Sequence, residues 1–412
     1  MSTFRLVRPA AATAGAPAPA LDEAQARVVR HREGPLLVLG GPGTGKTTVL
    51  VESVATRIAE GDDPEGVLIL TFGRRAAMSL RRRIEARVSA VAERRVIREP
   101  MVRTFHGYAF GLLRAAAATR GEPAPRLLTG PEQDLVIREL LEDGEVAWPD
   151  DVRPALRTRA FAEQLRDLLQ RAAERGLGPN GLHERGVRHG RADWLAAAEF
   201  LGEYEQVLAL RETTTRSSAA YDPAELVRAA AAMLRDDPAR LAAERRRLRA
   251  VYVDEYADTD PAQVELLELV AGGGATVVAL ADPDSSTFAF RGSDPALVGR
   301  FPATFPRVDG SDAPVQLLGV NHRAPEALLG AAARISVRLR ASAGVGVSHR
   351  RVTSAASAPT ASAPTASAPA TASAPAASAP TASAPTASAP TASAPTASAP
   401  TASAPTASAP TA

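Results

Sequence analysis

No cysteine occurs in the 412 residues, which excludes disulfides, thiolate catalysis and cysteine-ligated zinc. Histidine is scarce, six in all, and no pair stands at an HxxxH or other ligand spacing, so histidines alone do not frame a metal site. No apolar run approaches the roughly 18 residues a membrane-crossing helix needs, so no membrane partner is expected. Nor is there an apolar signal core near the start. Residues 1–20 are rich in Ala and Pro and read as a flexible arm of a cytoplasmic protein. Excess charge is missing too: the formal net charge is +2, which rules out a bulk polycation. Lysine is all but absent. Lys46 is the only one in the chain, and every other basic side chain among the 48 is arginine. From about Ser354 the chain runs SAPTASAPTASAP, without charge, aromatic rings or large aliphatic residues. Such a tract buries too little to offset the entropy of ordering it, so 351–412 reads as a disordered repeat.

What remains allows two or three compact units. Leu21–His31 reads as a short helix, Pro35–Leu39 as a strand, and Lys46 to about Ala59 as a helix. Val67–Phe72 is a buried-looking strand, Arg75–Ala92 a second helix with arginine on one side, and Met101–Phe105 another strand leading into helix. Strand–loop–helix–strand order of this kind predicts a parallel, doubly wound α/β sheet. From Gly130 to Arg249 the Ala, Leu, Glu and Arg spacing is helical, which predicts an insert over 130–249 between two parts of one α/β domain, 21–129 and 250–305. Ala250–Val253 and Thr276–Ala281 resume the strand pattern around a helix at Pro261–Val270. Pro302–Pro314 reads as a linker, and 306–350 as the start of a second domain that does not complete.

Gly40-Gly41-Pro42-Gly43-Thr44-Gly45-Lys46-Thr47 fits GxxxxGK[ST] between a strand and a helix. The pattern calls for ATP with Mg2+. Glycines let backbone N–H groups curl around phosphates, the helix N-terminus adds partial positive charge, Lys46 reaches the β- and γ-phosphates, and the Thr47 hydroxyl ligates Mg2+. A compact ammonium kept here, in a chain that uses guanidinium everywhere else, fits a pocket made for a point charge. Asp254-Glu255 closes the apolar strand Val251-Tyr252-Val253; Asp254 there can hold the metal and Glu255 can polarise the attacking water. Alone, that pair is a solvated strand end. With the glycine loop it supplies both chemical parts of a nucleotide hydrolase.

In order along 21–325, Leu21-Asp22-Glu23-Ala24-Gln25, the glycine loop, Leu70-Thr71-Phe72-Gly73-Arg74-Arg75-Ala76-Ala77, Thr104-Phe105-His106-Gly107, Val253-Asp254-Glu255-Tyr256-Ala257-Asp258-Thr259, Phe288-Ala289-Phe290-Arg291-Gly292 and Asn321-His322-Arg323 resemble the front part of a superfamily 1 DNA helicase of the UvrD/Rep type. The resemblance implies a RecA-like domain interrupted by a helical 1B-type insert, and a 3′-to-5′ motor on single-stranded DNA in repair or recombination. It implies that Gln25 reads the adenine edge, that Glu255 is the catalytic base beside Lys46, and that Arg323 reaches the γ-phosphate. Thr71, Phe72, Arg74, His106 and Phe290 fall where the family contacts single-stranded DNA, a use that suits rings stacking on bases and arginine meeting phosphate. For Phe72 and Phe105, core packing is an equal alternative.

Two departures stand out. Ala257 and Ser285 occupy positions where the family has glutamines that link nucleotide state to the DNA track. The Ala/Arg-rich insert and the Asp282-Pro283-Asp284 box resemble motor subunits of bacterial helicase–nuclease complexes, which implies a second helicase or nuclease subunit as partner. The competing reading is a non-hydrolysing ATP- and DNA-binding subunit of such a complex.

Overall fold

A computed structural model of the protein describes residues 19–91, 100–215, 219–223, 225–272, 274–288, 292–341 and 345–355. Most of the expected arm, the repeat from 356 onward and Phe290 lie outside them. Along the chain come α1 (Glu23–Arg30), β1 (Pro35–Gly40), α2 (Lys46–Glu60), β2 (Val67–Thr71), α3 (Arg74–Val91), β3 (Met101–Thr104) and α4 (Phe105–Arg120). Then follow β4 (Arg126–Leu127), α5 (Gly130–Asp143), α6 (Arg159–Glu174), α7 (Pro179–His189), α8 (Ala192–Thr215) and β5 (Ala220–Tyr221). The rest is α9 (Leu226–Asp236), α10 (Pro238–Arg247), β6 (Ala250–Val253), α11 (Pro261–Ala271), β7 (Thr276–Ala281), α12 (Ala296–Thr304), β8 (Val315–Leu318), β9 (Val320–Asn321), α13 (Glu326–Ser336) and β10 (Thr353–Ser354). No helix among the described residues is long and apolar enough to cross a membrane.

Six strands form one parallel sheet in the order β3-β2-β6-β7-β1-β8. β1, β2, β6 and β7 are buried along their whole length, which is why they read as unbroken apolar runs: helices cover both faces. Alternation still sorts the side chains. Leu36, Val38, Ile69 and Val278 face α1, α2 and α3, whereas Leu37, Leu39, Leu70 and Val253 face α4, α9, α11 and α12. Parallel strands place all their C-terminal ends on one rim, and the loops that leave that rim carry the glycine loop, Asp254-Glu255 and Asp282.

A separate helical body, α5 to α8, packs around Val136, Ile137, Trp148, Leu165, Leu169, Phe200 and Tyr204. Its exit comes earlier than the sequence suggests. β4 pairs with β5, Arg126 opposite Ala220, and from there the chain is back on the α/β body. Leu226, Val227, Ala230 and Leu234 of α9 belong to the sheet's own core, and Arg245 of α10 donates to the Leu269 carbonyl of α11 (2.7 Å). The insert therefore spans about 128–219, not 130–249. Two further boundaries differ. β8 pairs with β1, Leu37 opposite Val315, so it completes the first sheet and does not open another domain. The expected linker is α12 with its exit, held by Phe301 and Phe305 in the core. Residues 353–354, assigned above to the repeat, form β10 and pair with β9.

Candidate functional site

The glycine loop leaves β1 and turns directly into α2. Gly43 and Gly45 have φ of +85° and +86°, where a side chain is strained, and space forbids one as well. A Cβ on Gly43 would lie 2.8 Å from Asn321 Oδ1, and one on Gly45 would lie 2.4 Å from Gln25 Nε2. Lys46 folds back over the loop: its Nζ donates to the Gly40 carbonyl (2.8 Å) and lies 3.9 Å from Asp282 Oδ2. Thr44 is buried, its hydroxyl donating to the Gly41 carbonyl (2.9 Å).

Gln25 sits behind the loop. Its Nε2 donates to the Thr44 carbonyl (3.0 Å), and its Oε1 accepts from the Asp22 backbone N–H (3.1 Å) in a capping box that starts α1. In this arrangement the amide braces the loop from below. A D-x-x-Q pattern ahead of a helix was the sequence signal for that role.

Asp254 and Glu255 leave the end of β6. Asp254 is buried, and its Oδ1 has no hydrogen-bond partner. Burial pushes its carboxyl upward against the opposing charges of Lys46 and Arg83. Glu255 is the one non-glycine among the described residues with positive φ, at φ 56° and ψ 50°. Its carboxyl is also raised, first by burial, with Lys46 opposing and Asp254, Asp258 and Asp282 adding repulsion. A left-handed glutamate costs on the order of 1 kcal/mol or more and persists only where its surroundings over-determine it. Ala257, two residues on, is packed in the core.

A cleft of about 390 Å³ is lined by Gly41, Pro42, Gly43, Gly45, Lys46, Thr47, Thr48, Arg83, Glu255, Ser285, His322 and Arg323. The structure thus brings together Lys46, Thr47, Glu255 and Arg323, which lie far apart in sequence, with Gln25 and Gly40 supporting the loop. Four supports of the site were given no such role from sequence. Asp282 holds the Ser285 hydroxyl and faces Lys46. Arg83 reaches the cleft from α3. Asn321 donates from Nδ2 to the Pro42 carbonyl (2.6 Å), while His322 N–H donates to the Gly43 carbonyl (2.9 Å). The strand-end position of Asp282 and the Asn321-His322 pair were visible; the roles of Arg83, Asn321 and His322 depend on the fold.

The expected DNA-contact residues divide. Phe72 stacks on Phe288 with centroids 4.3 Å apart, and with His106 it lines a second cleft of about 670 Å³ between the α/β body and α6. Burial holds His106 below the ordinary imidazole value. Asp167, Gln170, Arg171 and Glu174 of α6 form the opposite wall, and Asp260 and Gln263, at the start of α11, also line the cleft. Thr71 is buried at the end of β2, so its side chain offers no surface, and Arg74 is exposed but not part of this cleft. Phe290 lies outside the described residues.

Fold and loop together define a RecA-like P-loop domain. A family model described as the UvrD/REP helicase N-terminal domain matches residues 21–306. The chain belongs to the UvrD/Rep helicase family. Among curated proteins it is similar to the ATP-dependent DNA helicase PcrA of Staphylococcus epidermidis, 27% identical over 316 residues, which cover 76% of this chain and 39% of that protein. The PcrA of Staphylococcus aureus is likewise 27% identical over 310 residues, 75% of this chain and 38% of its own. The chain thus spans about two fifths of the length of these relatives.

Proposed function

We propose that this chain binds ATP with Mg2+ in the Lys46 cleft and hydrolyses it in response to single-stranded DNA lying along the Phe72–His106 cleft. One observation carries the reading: Lys46, Thr47, Glu255 and Arg323 line a single cleft beside a buried Asp254 oxygen that lacks a partner. An anionic oxygen of that kind is costly unless a cation completes it, and Thr47 supplies the matching hydroxyl. The residues therefore fit a magnesium triphosphate. Thr47 and Asp254 would hold the Mg2+, which when bound would supply positive charge to offset that of the triphosphate. Lys46 exchanges its loop carbonyl for phosphate oxygens, Glu255 takes a proton from water, and Arg323 offsets charge developing on the γ-phosphate. Movement 3′ to 5′, a role in repair or recombination, and a helicase or nuclease partner subunit follow from the resemblance and belong to this proposal.

The test is ATP hydrolysis with and without single-stranded DNA, beside a Lys46→Ala variant. A DNA-stimulated rate that disappears in the variant supports the motor. A second reading, a nucleotide-binding subunit without turnover, is favoured by Ala257 and by Ser285, whose hydroxyl is engaged with Asp282. Retention of ATP by the wild-type protein without hydrolysis would establish it.

A further inference from the structure

α13 poses a packing problem. None of its eleven residues is fully buried, so apolar packing holds it only weakly. Yet the segment that opens it carries Arg323, whose guanidinium makes no hydrogen bond or ion pair among the described residues and faces the nucleotide cleft. Polar groups hold the helix instead. At its start, Asn321 Oδ1 accepts from the backbone N–H groups of Arg323 (2.9 Å) and Ala324 (2.8 Å) while Asn321 Nδ2 reaches the Pro42 carbonyl. At its far end stands Arg350. Its Nε and Nη2 donate to the two oxygens of Asp284, both at 2.7 Å. The remaining N–H directions go to the carbonyls of Ser336 and Leu339 (3.0 Å each) and Arg340 (3.1 Å). One guanidinium thus has all its donors engaged, capping α13 and tying it to the loop after β7. That loop also carries Asp282, the carboxylate facing Lys46, and the Asp284 N–H donates to Asp282 Oδ1 (3.2 Å).

Asp282, Asp284 and His349 also bring three ligand atoms within 4.8 Å of one another. Arg350 occupies both Asp284 oxygens, so the cluster is an ion-paired anchor and not a cation site.

We propose that Arg350 and Asp284 are positioning residues: they clamp the far end of α13 and so aim Arg323 at the terminal phosphate. This rests on the reading of Arg323 given above. The clamp touches neither phosphate nor metal, so it affects the ground-state nucleotide little and the transition state strongly. A lysine at 350 keeps the charge but cannot span a carboxylate and three carbonyls.

The experiment needs no turnover. Affinity for Mg-ADP is compared with affinity for Mg-ADP plus aluminium fluoride in the full chain and in Arg350→Lys, Asp284→Asn, Arg323→Ala and Arg323→Ala/Arg350→Lys variants. Hydrogen exchange over 326–336 is followed in the same proteins. Expected are faster exchange in the Arg350→Lys and Asp284→Asn variants, Mg-ADP affinity within about twofold of wild type, and analogue affinity lower by about tenfold or more, as a displaced transition-state contact gives. The double variant should be no worse than Arg323→Ala alone. Unchanged exchange in both clamp variants, or losses that add in the double variant, overturns the clamp. If Arg323→Ala alone leaves analogue affinity intact, the role given to Arg323 fails; α13 exchange then reports separately whether the clamp holds the helix.

Discussion

At the scale of single residues, the site is a set of carboxyl groups held in low dielectric beside one ammonium. Asp254 and Glu255 there, and Asp260 in the Phe72–His106 cleft, all have raised carboxyls, with burial the first cause in each. Asp260 is the extreme case, pushed up to about 7, although its carboxyl accepts the Gln263 backbone N–H as the N-cap of α11. The folded protein then keeps a proton that the unfolded chain has lost. Because the native state binds more protons between about pH 4 and pH 7, this group's contribution to stability falls as pH rises across that window and is level beyond it. Asp260→Asn keeps a capping oxygen and removes the titration. Urea midpoints measured at several pH values should fall less steeply in the variant from pH 4 to pH 7; parallel curves for the two proteins would refute the assignment.

Elements were legible where their cause is local, and illegible where it is not. The buried strands and the glycine loop could be read directly, since an unbroken apolar run and a glycine pattern are properties of a few consecutive residues. Asp254 and Lys46 followed, because both sit at strand or helix ends of that pattern. The limits of the insert were hidden. α9 repeats the Ala, Leu and Arg spacing of the helical body, and only its contacts show that Leu226 and Leu234 belong to the sheet. β4 and β5, two residues each, are too short to signal, and β8 looked like a beginning because its partner β1 lies far back in sequence. Arg57 shows the same dependence on distant partners. It is buried under the sheet, donating to Tyr252 Oη (3.0 Å), Thr276 Oγ1 (3.0 Å) and the Arg32 carbonyl (2.6 Å), and so joins α2 to β6 and β7. Arg57→Met should lower stability by roughly 1–3 kcal/mol for each buried partner left unsatisfied, read as a lower urea midpoint with unchanged slope. A loss under about 0.5 kcal/mol would mean that water replaces the guanidinium.

For the whole molecule, the central fact is that the chain crosses between the α/β body and the helical body at one short strand pair. Leu127 and Tyr221 lie opposite each other in β4 and β5, so the helical body enters and leaves the α/β body at adjacent points. Replacing residues 130–218 by a flexible Gly/Ser linker of about six residues should therefore leave a folded α/β domain. Thermal unfolding followed by circular dichroism should remain a single cooperative transition that Mg-ADP shifts upward. Any stimulation by single-stranded DNA should be lost with α6, since that helix forms the opposite wall of the Phe72–His106 cleft. A chain that no longer unfolds cooperatively would show that the two bodies are not independent.

A protein with one lysine carries a built-in reporter. Apart from the chain's own α-amino group, Lys46 is the single primary amine available to an acylating reagent, and it sits largely shielded among loop carbonyls. Mass spectrometry of the acylated protein can then follow occupancy of the phosphate loop with no label and no mutation. Modification at Lys46 should be slow in buffer and slower still with Mg-ATP present. Equal rates with and without the nucleotide would place its phosphates elsewhere.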